Sequence, residues 1–341
     1  MASPDPTALR YHGDQAVAPG MLDFAVNVRH RRPPPWLVQR LTARLPDLAG
    51  YPGGDDHRAA VQAIAARHGR GVDEVLPLAG AAEGFALLPN LAPRHAALLA
   101  PSFTEPVVAL AGAGIALTQV VTGAPFTLSA APAVPEHADL VVVGNPTNPT
   151  AVAHRRDELL ALRRPGRILV VDEAFADAIP GEPGSLAGES LPDVVVLRSL
   201  TKTWALAGLR VGYALGAPAV LARLAARRAH WPVGTLQLVA LAACSTPAAV
   251  AEAEAGAAEL MRLRASMVAG LESVGAEVVD GRAPFVLFRV PDATLMRTRL
   301  AAAGIAVRRC DTFVGLDDTY LRAAVRPQWP ALVAEIGRVL R

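Results

Sequence analysis

The stretch Val194-Val195-Val196-Leu197-Arg198-Ser199-Leu200-Thr201-Lys202, followed by Gly208-Leu209-Arg210-Val211-Gly212-Tyr213, decides how the rest of the chain is read. An apolar, β-branched run ending in Ser-Leu-Thr-Lys is a buried strand that delivers a hydroxyl and an amine to one place, and Arg210 adds a guanidinium a few residues later. A lysine held among neutral groups and near another cation has a depressed pKa, so its free amine can condense with an aldehyde. Pyridoxal 5'-phosphate is the aldehyde that suits this set, with Ser199 and Arg210 placed to take its phosphate. Alone, Ser-x-x-Lys also fits an acyl-transfer enzyme whose nucleophile is Ser199, or an ordinary solvated lysine at a strand end.

Two further strand ends carry matching chemistry. Leu169-Val170-Val171-Asp172-Glu173-Ala174-Phe175 is a short apolar strand ending in an acid. Asp172 suits the carboxylate that keeps a pyridine nitrogen protonated, although a helix cap or turn residue has the same local sequence. Leu140-Val141-Val142-Val143 runs into Gly144-Asn145-Pro146-Thr147-Asn148-Pro149-Thr150, where each proline forces the residue before it out of the helical region. That makes a rigid loop, with Asn148 placed to donate to the phenolic oxygen of the cofactor. In a doubly wound sheet ligands bind beyond the carboxyl ends of the parallel strands, so Asn148, Asp172 and Ser199 converge on one site. An acyl-transfer reading leaves Asp172 and Asn148 without a role.

On these residues the chain resembles a fold-type I pyridoxal-phosphate enzyme of the class I/II aminotransferase superfamily. Within it the similarity is to the branch holding histidinol-phosphate aminotransferase and threonine-phosphate decarboxylase, and it runs from about Tyr11 to the C-terminus. The resemblance implies an α/β fold, with a mostly parallel central sheet and a smaller α+β C-terminal domain. It also assigns roles. Phe103 stacks on the pyridine, Thr201 and Lys202 join Ser199 at the cofactor, and Tyr51 reaches the phosphate of a neighbouring subunit's cofactor, which implies a homodimer. Arg322 clamps the substrate α-carboxylate, while Arg308 and His12 meet a distal phosphate, and Asn27 joins them at the substrate. Gly80, Ala81 and Ala82 open a helix whose free N–H groups can meet the cofactor phosphate. The family usually has a small hydroxyl residue there, so Ser199 and Arg210 carry more of the binding.

Phe175 stands where histidinol-phosphate aminotransferases usually carry tyrosine. With the segments around Tyr11-His12-Gly13-Asp14, Leu22-Asp23-Phe24-Ala25-Val26-Asn27 and Val307-Arg308-Arg309-Cys310, it resembles threonine-phosphate decarboxylases, which serve cobalamin biosynthesis. The expected activity is therefore decarboxylation of a phosphorylated amino acid. The alternatives are transamination of histidinol-phosphate type with 2-oxoglutarate as acceptor, and a non-catalytic protein that kept the fold. Orientation selects between the two reactions: a carboxylate held in the ring plane favours proton loss with Lys202 as shuttle, and one turned out of it favours loss of carbon dioxide.

Composition narrows the field. The chain has 341 residues, enough for two domains, with a net charge of +2 and 19% charged residues. No long basic block points to nucleic acid. Cys244 and Cys310 are the only cysteines and lie far apart, which argues against a disulfide framework or a zinc site, so no metal is expected. No signal pattern opens the sequence and no uncharged membrane-length run appears outside Ala-rich helical material, which suggests a cytoplasmic protein without a membrane partner. The expected layout is an N-terminal arm with part of the small domain in residues 1–45, a large cofactor-binding domain in 46–245 and a small domain in 246–341. Strands are expected at 96–100, 115–121, 140–143, 168–172, 194–199 and 211–215, alternating with helices. A long Ala/Glu/Arg/Leu-rich helix at 247–274 then leads to strands near 285–290, 305–308 and 321–325, and His68 is expected to close a helix over 57–69.

Overall fold

The computed structural model describes residues 10–341. The first residues of the expected arm, including 1–6, where a signal sequence would start, lie outside the described residues. After a two-residue strand β1 (Leu22–Asp23), the apolar runs assemble side by side. β2 (Val75–Leu78), β3 (His95–Ala100), β4 (Ala116–Val121), β5 (Leu140–Gly144), β6 (Ile168–Asp172), β7 (Val194–Ser199) and β8 (Gly212–Gly216) form one sheet in the order β2-β8-β7-β6-β5-β3-β4. From β4 to β7 neighbours are parallel, and β8 is antiparallel to both β7 and β2. β5, β7 and β8 are buried along their whole length, as strands covered on both faces must be.

The large sheet departs from expectation in two respects. β2 is not among the expected strands; it sits at the sheet edge, where the missing N–H of Pro77 is tolerated. Strand–helix alternation also fails between β4 and β5, where only the 3-10 turn Leu128–Ala130 intervenes, between β7 and β8, which have no helix between them, and between β6 and β7, joined by a loop containing only the short 3-10 turn Ala176–Ala178. Pro180, Gly181, Pro183 and Gly184 cannot sustain a helix there.

The C-terminal part builds a second sheet. β9 (Glu277–Val278), β10 (Phe285–Arg289), β12 (Arg308–Arg309) and β13 (Tyr320–Ala324) pair in the order β12-β13-β10-β9, while β11 (Ile305–Ala306) pairs with β1 instead. The strand expected at 305–308 is thus two, serving different partners. The helix Pro247–Ser273 connects the two parts: Ala249 and Ala253 belong to the core of the large sheet, and Leu260, Met267 and Leu271 to the core around β10 and β13. Among the described residues no single helix is long and apolar enough to cross a membrane. Cys244 and Cys310 are both free and buried. His68 closes the helix Gly54–His68 and bonds Tyr213 Oη at 2.8 Å. Burial and the nearby Arg198 drop its pKa to about 2, so it serves as a neutral packing residue.

A buried ion network ties β6 to β7. Arg198 is 1% exposed. Its guanidinium donates to Glu173 at 3.0 Å, to Glu182 at 2.9 Å and to Asp177, and Arg67 donates to Asp177 at 2.8 Å. Glu173 also accepts from Ser185 Oγ at 2.6 Å and from the Leu186 N–H at 2.7 Å, so the helix-poor loop has its polar groups satisfied. Removing one member of such a pair leaves its partners buried and uncompensated. Arg198→Met should lower the unfolding free energy by about 3–5 kcal/mol, read by denaturant titration. A loss under about 1 kcal/mol would mean that the network is hydrated and contributes little.

Candidate active site

The carboxyl ends of β3, β5, β6 and β7, neighbours in the sheet, open on a cavity of about 570 Å³. Phe103 follows β3, Asn148 follows β5, Asp172 ends β6, and Ser199, Thr201 and Lys202 stand at the end of β7; all six line the cavity. Register explains the convergence. Gly144 pairs with Asp172 and Asp172 with Leu197, so β5 and β6 end level with one another and β7 runs on to Ser199 above them.

Lys202 and Asp172 share this cavity. Burial, reinforced by Arg210 and Arg322 and opposed by Asp172 and Asp14, lowers the Lys202 amine to about 8. Burial raises the Asp172 carboxyl to about 6, with neighbouring Glu173 adding to the shift and the Ala174 N–H and Lys202 opposing it. Each group is thus brought toward neutral pH, where a change of protonation is accessible.

Beyond β7, Ser199 Oγ lies 2.7 Å from Thr201 Oγ1, and Arg210 adopts a left-handed backbone (φ 60°) with Nη1 donating to Ala207 O at 3.1 Å. Gly80, just before the helix Ala81–Leu87, has φ 82° and faces the Arg210 guanidinium so closely that a Cβ would lie 3.0 Å from Nη2. Gly212 has the same role underneath, where a Cβ would come within 2.7 Å of the Ala81 nitrogen. Two glycines therefore let β8, the helix start and Arg210 crowd around Ser199 and Thr201. Ala81 and Ala82 line the cavity; Gly80 does not, and it faces the guanidinium of Arg210, which does.

Asn148 is fixed from behind. Asn145 accepts from the His154 N–H at 2.8 Å and donates to Gly184 O at 3.0 Å, and Thr147 Oγ1 donates to Gly144 O at 2.7 Å. Arg322 donates to Asn148 Oδ1 and to Ala25 O.

Arg308 and Arg322 are directly opposite in the β12–β13 pair, so both side chains leave the same face. Both are buried, at 3% and 5% exposure, and neither has a carboxylate partner among the described residues. Arg308 lies between the rings of Tyr11 and Phe313, at 4.6 and 4.8 Å, and donates to Tyr11 O and Thr312 Oγ1. Burial lowers the Arg322 guanidinium to about 9. It remains charged near neutrality, and two buried cations without acids form a floor for anions.

His12 and Asn27 also line the cavity. His12 Nε2 is engaged by Glu105 at 3.0 Å, which leaves the other ring nitrogen for a substrate. Glu105 and Asp14, both cavity residues, were missed as candidates in the sequence. Glu105 only looks like the first-turn acid of the helix Glu105–Gly112, and Asp14 comes from a segment with no periodic pattern. Tyr51 is elsewhere, 76% exposed and stacked on Trp231 at 4.1 Å. The described residues contain no group of three or more metal-ligating side chains.

A half-buried lysine and a carboxylate at the strand ends of the large sheet, faced by paired arginines of the second sheet, make a site suited to amine chemistry beside bound anions. The sequence profile of the family Aminotransferase class I and II matches residues 19–329. A histidinol-phosphate aminotransferase of Mycobacterium tuberculosis (strain ATCC 25618 / H37Rv) is 70% identical over 330 residues, 97% of this chain and 90% of that protein. A threonine-phosphate decarboxylase of Sinorhizobium sp. is 34% identical over 303 residues, 86% of this chain and 83% of that one. The crystal structure of histidinol-phosphate aminotransferase from Sinorhizobium meliloti in complex with pyridoxal-5'-phosphate superposes with a TM-score of 0.82 at 18% identity, covering 100% of this chain and 96% of that one. The chain belongs to the class I and II aminotransferases, and is an enzyme that uses pyridoxal 5'-phosphate.

Lys202 is also the only lysine among the 33 Lys and Arg residues, so amine chemistry at this site can be read cleanly. In the cofactor-free protein, labelling of Lys202 by an amine-specific reagent, followed by peptide mass spectrometry, should be half-maximal near pH 8, because only the neutral amine reacts. A midpoint near the ordinary 10.5 would mean that the amine is solvated. Gly80→Ala should weaken pyridoxal-phosphate binding at least about tenfold in an absorbance titration, since the new Cβ strains the backbone and displaces Arg210.

Proposed function

We propose that this enzyme transfers the amino group of a phosphorylated amine of the histidinol-phosphate type to a 2-oxo acid such as 2-oxoglutarate. The observation that carries the reading is the 70% identity, over 97% of this chain, to a protein named histidinol-phosphate aminotransferase. This reverses the order expected from the sequence, which put decarboxylation first. That order leaned on Phe175, and the reason it misleads is physical. Phe175 packs edge-on against Phe285 at 5.0 Å in an apolar cluster with Ala151 and Ala283, so its ring is accounted for by packing and does not discriminate between the reactions.

The residues present fit the cofactor. Ser199, Thr201, Arg210 and the N–H groups at Ala81 and Ala82 would hold its phosphate, Asn148 its phenolic oxygen, Asp172 its ring nitrogen and Phe103 its ring face. When bound, the cofactor supplies an aldehyde for the amine and a ring that accepts electrons from the substrate carbon. Lys202 is free to carry a proton between substrate carbon and cofactor, since a pKa of about 8 lets Nζ both take and return it. Arg322, anchored on Asn148, would hold the α-carboxylate of 2-oxoglutarate and of the glutamate formed from it, since histidinol phosphate carries no carboxylate of its own. Arg308 would take the distal anion, which is a phosphate on the donor and the second carboxylate on 2-oxoglutarate, and His12 and Asn27 would face the same end.

The enzyme in this reading is a homodimer. Tyr51 and Trp231, stacked and exposed near the exposed Leu45 and Leu48, suit a surface covered by a second copy, from which Tyr51 would reach the neighbouring phosphate.

A second reading, decarboxylation of threonine phosphate, is favoured by the paired Arg308 and Arg322, which also suit an α-carboxylate and a distal phosphate on one molecule. Incubation with histidinol phosphate and 2-oxoglutarate should yield glutamate without carbon dioxide. Carbon dioxide from threonine phosphate, with no glutamate in the first assay, would restore decarboxylation. Arg322→Lys should reduce kcat/KM with 2-oxoglutarate by about 100-fold or more, as expected for loss of a two-pronged charge-assisted contact.

A further inference from the structure

Behind Lys202 lies a second chamber, of about 20 Å³. That is room for one water and nothing larger. Asn27, Phe175 and Lys202 stand in the walls of both this chamber and the main cavity, while Asp177 and Leu260, with the donor-bearing Arg29 and Thr203, line the small chamber and not the main cavity. Two buried acceptors on these residues, Asn27 Oδ1 and Asp177 Oδ2, have no hydrogen-bond partner among the described residues. The other Asp177 oxygen is taken by Arg67 and Arg198. Buried polar atoms are almost always satisfied; Arg29, Thr203 and Lys202 share the chamber without bonding either oxygen, and one water has the two donor hydrogens that the two acceptors lack.

We propose that the chamber binds one ordered water that donates to Asn27 Oδ1 and Asp177 Oδ2, making Asp177 a positioning residue for Asn27. With its carbonyl held backward, the Asn27 amide presents its N–H to the main cavity as a donor for an anionic substrate. The network that braces β6 and β7 thereby also sets the polarity of one substrate contact. Asp177 touches neither substrate nor cofactor and acts only through the water.

The functional arm rests on the aminotransferase reading above; the structural arm does not. A high-resolution crystal structure of the wild-type holoenzyme should show a water within hydrogen-bond distance of both oxygens. Leu260→Phe, which fills the chamber while keeping every side chain of the ion network, should displace the water. It should raise KM for histidinol phosphate by about tenfold with kcat within about twofold, the signature of a lost neutral hydrogen bond in binding. A dry chamber in the wild type, with the Asn27 amide nitrogen turned directly onto Asp177, overturns the proposal. So does a Leu260→Phe enzyme that loses the water and keeps its KM. Failure of the aminotransferase reading would show instead as no turnover of histidinol phosphate by the wild type, and the crystallographic result would still decide the water.

Discussion

An amine enclosed beside two guanidiniums is the constraint around which the rest of this structure is arranged. Lys202 loses hydration by burial and faces Arg210 and Arg322, so its charged form is disfavoured from three directions. Only Asp172 and Asp14 oppose the shift. The cavity holds Asp14, Glu105 and Asp172 beside Arg210, Arg308 and Arg322, yet neither Arg308 nor Arg322 has a carboxylate partner among the described residues, which leaves their anions to be supplied by cofactor and substrate. A phosphate at Arg210 and a carboxylate at Arg322 would relieve the strain on the lysine from both sides. Binding and activation of the amine are therefore electrostatically coupled.

The scaffold makes that arrangement rigid by using both faces of the same two strands. Side chains alternate along β7, so Ser199 faces the cavity while Arg198 points into the ion network, and beyond β6 Asp172 and Glu173 divide in the same way. The Glu173–Arg198 pair consequently sits behind the residues that meet the cofactor. A strand shift of one residue would exchange the two sets, placing a buried guanidinium where the phosphate belongs, and the cost of uncompensated charge makes that register inaccessible.

Much of this was legible in the chain, for identifiable reasons. The strand ends at Asn148, Asp172 and Ser199 could be read because parallel strands buried on both faces give unbroken apolar runs, and such runs stop where the site begins. β2 escaped because an edge position forgives the proline at Pro77, and the split of β11 from β12 escaped because partner choice leaves no mark on a short apolar segment. Glu105 escaped for another reason. Its role depends on His12, more than ninety positions away, which no local pattern records. The choice between transamination and decarboxylation was hardest, since Phe175 occupies a position where packing against Phe285 satisfies the ring whichever bond is broken.

The near-exclusive use of arginine gives the site a chemical selectivity that a mixed lysine–arginine surface would lack. Guanidiniums remain protonated near neutral pH even when buried, as Arg322 does with its pKa lowered to about 9, and they do not condense with aldehydes as a neutral amine does. Every other cation in the cavity can therefore approach the cofactor or substrate without competing for the carbonyl. With Lys202 the only lysine in the chain, the side-chain amine able to form the covalent link is the one that burial has already deprotonated in part. The same division explains why Arg308 and Arg322 can be placed side by side across β12 and β13 at the substrate end. Their role is to hold charge fixed, and Lys202 alone has to give it up.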